Sequence, residues 1–396
     1  MTGPWHILTG EYPPQRGGVA DYTFQVAAGL AAAGDEVHVW CPRLPGPSPG
    51  AAGVTIHPVL GAFEPAGLRE LGRALDMFEP PRRLLVQWVP HAWGWRSMNV
   101  PFCEWLWRRS RHDDSVDLIV HEAFLAFGKG GVRWQAAAAV HRLMTFLVLR
   151  GARRVWVTTP AWATMMRRYA IGRNVRFDTL PVPSNVPVVQ DPARVRDLRA
   201  RYVGSQAHLL GHYGTYGRDI AESLVSVVPA LLAEGASVLL LGRNAARFRS
   251  DVLERVPLPA GLRVQAAEEL APRDLSLHLQ ACDILLQPYP DGATGRRTTL
   301  TAALSHALPV VTTVGRWSEP LWQQSRAVAA VPAGDNAALV AAVRHLCEDP
   351  VERARLRAAA AALYDRRFDL RHTIEALRAD RAITTSECAS SLRTGV

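Results

Sequence analysis

Along most of the chain, short apolar runs alternate with longer stretches in which apolar positions recur every three or four residues. The runs Trp5 to Thr9, Glu36 to Trp40, Arg83 to Val89, Asp117 to His121 and Arg154 to Thr158 are bounded by turn formers and read as buried strands. Shorter strands are expected near Val54 to Pro58 and at Phe177 to Val182. Between them, Val19 to Ala33, Leu68 to Phe78, Phe102 to Arg111, Trp134 to Leu149 and Ala161 to Tyr169 carry the helical period. A second cycle opens at His208 to His212 and continues through strands at Ser237 to Leu241, Val264 to Ala266, Ile284 to Leu286 and beyond Pro309. Its helices are expected at Asp219 to Ala233, Ser276 to Cys282 and Thr298 to His306, followed by Asn336 to Cys347, Val351 to Tyr364 and Leu370 to Ala382. This alternation predicts an α/β protein with two Rossmann-like, doubly wound parallel-sheet domains.

The proline-stiffened stretch from Pro181 to Pro187 reads as the link between the two. The expected domains are 1–182 and 183–369, with a C-terminal helix over 370–383 packing back toward the first domain and a flexible tail over 384–396.

Composition narrows the partners. Of 396 residues, 48% are hydrophobic and 20% charged, which is ordinary for a globular chain. The net charge of +9 comes almost entirely from arginine, Lys129 being the sole lysine, and it favours nucleic acid, an anionic membrane or a phosphorylated small molecule. Five cysteines stand singly, without any C-x-x-C, which points to reduced thiols in a cytoplasmic protein and away from a disulfide framework or zinc cluster. Met1 to Pro14 has no signal-peptide pattern, and no run of apolar residues is long enough to span a bilayer.

Candidate chemistry concentrates in the loops that follow strands. The loop after Ile284 to Leu286 delivers Asp291, Thr294, Arg296, Arg297 and Thr298 to a helix start, where backbone N–H groups and two guanidinium groups suit a phosphate or diphosphate. Gly214, Thr215 and Arg218 form a second such loop, with Arg243 following the next strand. In the first half, Arg16, Gly17 and Gly18 precede a helix and allow a ligand close to the backbone. His91 and the pair His121-Glu122 sit at strand ends; a second histidine of a zinc-protease helix is missing, so a metal role is not expected. Phe102 to Arg111 combines aromatic and basic residues and admits two readings. One is a core helix with a solvated basic flank, and the other is peripheral contact with the inner face of an anionic membrane.

Three separated pieces resemble the GT-B glycosyltransferases, in particular the retaining enzymes of family four. They are the glycine loop Gly10 to Thr23, the strand end Val86 to His91, and the block Asp283 to Thr313 with its PYPDG loop, Arg-Arg pair and Leu308-Pro309-Val-Val-Thr-Thr313. The family's two glutamates fall at Thr294 and Ala302, neither acidic here, so the chain resembles a branch that carries an arginine pair instead. The resemblance implies sugar transfer from a UDP- or GDP-sugar co-substrate, with retention, without a metal or other cofactor, in a cleft between facing domains. It implies His91, Arg296 and Arg297 as catalytic groups. Arg218, Thr294 and Thr298 join the two arginines on the diphosphate. Gln265 to Leu270 would lie near the base, and Ser184 and Asn185 would border the acceptor. The acceptor could be a glycan, a lipid-linked molecule or a small molecule, and nucleic acid is not expected. Two other readings stay open: a sugar-nucleotide epimerase or hydrolase of the same fold, and a non-catalytic basic module for nucleic acid or anionic lipid.

Overall fold

The computed structural model describes residues 3–59, 63–90, 94, 97–128, 130–204, 207–233, 235–255 and 264–379. The chain divides into two compact units: Met1–Pro181 with Leu370–Val396, and Val182–Asp369.

The first unit runs β1 (Trp5–Leu8), α1 (Gly18–Ala32), β2 (Val37–Trp40), β3 (Val54–His57), α2 (Pro65–Leu75), β4 (Arg82–Trp88), α3 (Val100–Arg109), β5 (Asp114–Val120), α4 (Val132–Gly151), β6 (Ala152–Val157), α5 (Pro160–Arg167) and β7 (Arg176–Thr179). Its strands form one parallel sheet in the order β3-β2-β1-β4-β5-β6-β7. The central strands are buried on both sides, which is why they read as nearly unbroken apolar runs. Charge enters the sheet only in pairs. Arg82 Nε meets Asp114 Oδ1 at 2.6 Å and Arg83 Nε meets Asp117 Oδ2 at 2.8 Å, so neither buried carboxylate is left uncompensated. A last helix over 370–379 belongs to this unit. Arg83 Nη1 donates to Leu377 O at 3.4 Å, and Gly29 leaves the space that Ile374 fills.

The second unit runs α6 (Pro192–Val203), β8 (His208–Tyr213), α7 (Arg218–Ala233), β9 (Ala236–Leu241), α8 (Ala245–Arg255), β10 (Val264–Ala267), α9 (Pro272–Ala281), β11 (Ile284–Gln287), α10 (Thr298–Ser305), β12 (Val310–Val314), α11 (Leu321–Gln324), β13 (Ala329–Pro332), α12 (Asn336–Glu348) and α13 (Pro350–Arg367). Its parallel sheet has the order β10-β9-β8-β11-β12-β13, with an apolar core on each face.

Four of these elements escape the periodicity argument. α6 buries only Leu198, Tyr202 and Val203 among many charges, so its apolar stripe is faint. Its start is nonetheless chemically marked: Asp191 accepts the Arg194 N–H, and Pro192 takes the first helical position. α8 is similarly charge-rich, α11 is a single turn, and β13 is a half-buried edge strand that ends in proline.

Strand order reverses beside β1 in the first sheet and beside β8 in the second. In an open α/β sheet, ligands bind outside the carboxyl ends of the strands at such a switch point. The loops of interest are therefore those after β1 and β4 in one unit, and after β8 and β11 in the other.

Candidate active site

In the second unit the switch point is stitched by side chains that cross from β8 to β11. His212 donates its Nδ1 proton to Leu286 O at 2.8 Å, and Gln287 Nε2 donates to Tyr213 O at 3.1 Å. Burial pushes the His212 pKa down to about 4, so the ring is neutral. Its Nε2 has no hydrogen-bond partner among the described residues and lies 2.8 Å from where a Cβ on Gly214 would stand. Gly242 serves the same closeness: at φ +103° a Cβ there would meet Gly214 O at 2.3 Å, so glycine lets the loops after β8 and β9 touch.

The loop from Pro288 to Arg297 is held by the end of β12 and the segment after it. Ala293 N–H donates to Thr313 O at 2.7 Å, and Tyr289 N–H donates to Thr313 Oγ1 at 2.8 Å. Asp291 pairs with Arg316 at 2.5 Å, and its carbonyl accepts the Trp317 N–H. Glu319 completes the frame: its two carboxylate oxygens accept the Gly295 N–H at 3.1 and 3.2 Å, and Oε2 accepts the Trp322 indole N–H at 2.7 Å. Sequence reasoning did not find Glu319, which lies on a different βα loop from the N–H it holds.

This frame sets the start of α10. Arg297 is the N-cap residue and makes no side-chain cap, although Ser, Thr, Asp or Asn is the usual choice. The first-turn N–H groups of Thr298 and Thr299 meet no acceptor among the described residues. Arg297 lays its guanidinium over the Tyr289 ring, 4.7 Å from the centroid, and its Nε has no hydrogen-bond partner among those residues. Tyr289 is itself fixed by Thr299 Oγ1 at 2.8 Å, and burial raises its pKa to about 12. Arg296 is half-buried beside it. Thr294 is buried, its Oγ1 also lacking a partner among the described residues. The helix start thus offers positive charge and open N–H groups at the carboxyl end of β11.

The other residues expected around a donor divide. Arg218 is exposed and pairs with Glu222 at 3.0 Å on its own helix, so it is turned to solvent rather than gathered with the arginine pair. Thr215 and Arg243 are exposed at the loop tips. Gln265, expected near the base, lies within β10, and its amide donates to Tyr202 O at 3.0 Å. Leu270 packs against the core under β11. Ser184 Oγ closes a small turn on Val186, accepting its N–H at 3.1 Å, while Asn185 is half-buried next to it.

In the glycine loop of the first unit, Glu11 Oε1 accepts the Ala20 N–H at 3.2 Å, and Gly17 lacks the Cβ that would lie 2.7 Å from the same oxygen. The start of α1 therefore holds a carboxylate from its own loop, in the space that the missing Cβ of Gly17 leaves. Burial raises the Glu11 pKa, opposed by its backbone hydrogen bonds. Gly18 and Arg16 are exposed at the rim.

His121 is not placed for proton transfer. Its Nε2 bonds Gln87 Oε1 at 2.8 Å, its ring meets the edge of Tyr22, and burial lowers its pKa to about 4. Glu122 is half-buried next to it. His91 lies outside the described residues. Within Phe102 to Arg111, α3 buries Phe102, Cys103 and Leu106, and Arg109 is bound to Asp114 and Asp76. Among the described residues, no three His, Cys, Asp or Glu side chains gather as a metal ion would require.

The chain matches two family models, a glycosyl transferase 4-like domain over residues 17–183 and the glycosyl transferases group 1 over residues 207–349. Among curated proteins none is similar enough in sequence to match. Several solved structures are similar along nearly the whole chain. Sucrose-phosphate synthase from Thermosynechococcus elongatus has a TM-score of 0.73 at 17% identity, over 98% of this chain and all of its own. HepE from Anabaena, solved with UDP-glucose, has a TM-score of 0.65 at 15% identity, over 97% and 99%. WaaG, a glycosyltransferase involved in lipopolysaccharide biosynthesis, has a TM-score of 0.64 at 16% identity, over 94% and 98%. Identities this low carry the fold alone.

Proposed function

Because the chain belongs to the GT-B glycosyltransferases of the family-four type, we propose that it moves a sugar from a nucleoside-diphosphate donor to an acceptor hydroxyl, with the diphosphate seated at the start of α10. The observation that carries this reading is the uncapped helix N-terminus flanked by Arg296 and Arg297 at the carboxyl end of β11. The UDP and UDP-glucose complexes of HepE support a uridine donor within the UDP- or GDP-sugar class.

When the bond between the sugar carbon and the diphosphate breaks, its electron pair stays on the phosphate oxygen. Arg296, Arg297 and the N–H groups of Thr298 and Thr299 stabilise that developing charge, an effect that grows as water is excluded. Guanidinium groups and backbone donors perform this role without a metal. Retention follows if the acceptor oxygen bonds to the same face of the sugar while its proton passes to the departing phosphate. His91 keeps its role of orienting the reacting sugar, and Thr294 borders the sugar where a glutamate stands in the family pattern. The 1–182 and 183–369 division then assigns acceptor groups to the first domain and the donor to the second.

Incubation with a panel of UDP- and GDP-sugars and candidate acceptors tests the reading through release of the nucleoside diphosphate. Release is expected to depend on an acceptor, and Arg296→Ala/Arg297→Ala to abolish it in a folded protein. Wild-type turnover by that double variant would overturn the assignment, and acceptor-independent release would identify a hydrolase.

A further inference from the structure

We propose that the outer face of α4 is a docking surface for an anionic lipid bilayer. The inner side of this helix buries Ala138, Met144, Val148 and Leu149 in the first unit. At about 100° per residue, positions 132, 136, 139, 143 and 146 fall in one stripe on the opposite side. They are Val132, Ala136, Ala139, Leu143 and Phe146, all apolar. Val132 is 86% exposed and Leu143 48%; Ala136 and Ala139 are also exposed, and Phe146 is half-buried. A surface helix of a globular protein normally turns a polar side outward, whereas α4 is apolar on both.

The segment ahead of the helix adds Phe127, which is 51% exposed. In the first turn of the helix, about 200° round from Val132, Trp134 is 38% exposed, and its indole N–H donates to Ala126 O at 2.8 Å, which fixes the ring. A tryptophan with one apolar face and one satisfied polar edge suits a lipid headgroup layer.

Charge selects the occupant. Residues 123–177 contain ten basic residues (Lys129 and nine arginines) and no acidic one, more positive charge than the net +9 of the whole chain. Arg133 and Arg142 flank the stripe on its two sides, and Arg150 stands at its far end. Arg142 also covers the Phe127 ring at 3.6 Å. An apolar centre with basic flanks is how a helix lies in the interface of an anionic membrane, its long cationic side chains reaching the phosphates. A second copy of the chain fits poorly, because a two-fold contact would set these arginines against their own copies. No helix among the described residues is long and apolar enough to cross a membrane, so α4 would lie on the surface. This face belongs to the first unit, whereas the start of α10 belongs to the second.

Co-sedimentation with vesicles tests the proposal. The protein should pellet with an equal mixture of phosphatidylglycerol and phosphatidylcholine at low salt, remain in solution with phosphatidylcholine alone, and be released as salt rises. Val132→Asp/Leu143→Asp should weaken binding by at least about tenfold while leaving the unfolding temperature unchanged, since both side chains face solvent. Arg133→Gln should weaken it less. The proposal fails if anionic vesicles do not pellet the protein or if the double variant binds as well as wild type. It also fails if light scattering finds a wild-type dimer that the double variant converts to monomers.

Discussion

Two helix starts, α1 after β1 in the first unit and α10 after β11 in the second, each lie beside the switch point of their own sheet. They have been finished in opposite ways. At α1 the chain supplies its own anion, Glu11, and the missing Cβ of Gly17 makes room for it. At α10 the cap position is an arginine without a side-chain cap, the loop is braced from outside by Glu319, and the first-turn N–H groups remain open. The same backbone device is self-satisfied in one unit and available in the other. A glycine-rich turn before a helix therefore reports an anion site only where no nearby carboxylate already fills it.

Perturbing the brace should have the largest effect on this contrast. Glu319→Ala releases Gly295 N–H and the Trp322 indole together, leaving two partly buried donors unsatisfied. It should lower kcat/KM by about ten- to a hundredfold and stability by about 1–3 kcal/mol, read from kinetics and denaturant unfolding; unchanged kinetics would remove Glu319 from the account. The converse change is smaller. Glu11→Ala opens the α1 start, so inorganic phosphate should then raise the apparent unfolding temperature by a few degrees, whereas the wild-type loop should gain nothing from that helix end. If phosphate acts equally on both proteins, Glu11 is not the resident anion.

Acid should destabilise both units. The pKa values of His121 and His212 are lowered to about 4 by burial, below the value of about 6.5 for an unfolded chain. The unfolded state therefore binds more protons between these values, and stability falls as pH drops through 6.5 toward 4. An unfolding temperature lower by roughly 5 °C at pH 5 than at pH 7 is expected. His212→Gln should flatten part of this dependence, which a calorimetric pH series would register.

Much of the architecture was legible because buried parallel strands make dense apolar runs, as in Leu84 to Trp88 and Ile284 to Leu286. The arginine pair was legible too, since Arg296 and Arg297 follow a strand and precede a helix within one short loop. Glu11 and Glu319 were not. Their meaning comes from partners on other turns, Ala20 and Gly295, whose approach depends on tertiary packing. The partner of Gln265 was equally hidden, because its place near a strand end gave no hint that Tyr202 O would take its amide. The two aromatic, basic helices show the same limit. α3 and α4 both combine apolar and basic residues, but only the packed structure reveals that α3 turns its apolar residues inward while α4 leaves a stripe outside.

The central claim is that the diphosphate of the donor binds at the start of α10 through Arg296 and Arg297. It is tested most directly by titrating UDP and GDP against the wild-type protein and Arg296→Ala/Arg297→Ala while following thermal unfolding. At least one nucleotide should stabilise the wild type, by about 2–3 kcal/mol at a hundredfold excess over its Kd, and the double variant should lose that gain while its own unfolding temperature stays near the wild-type value. Equal stabilisation of both proteins would contradict the claim.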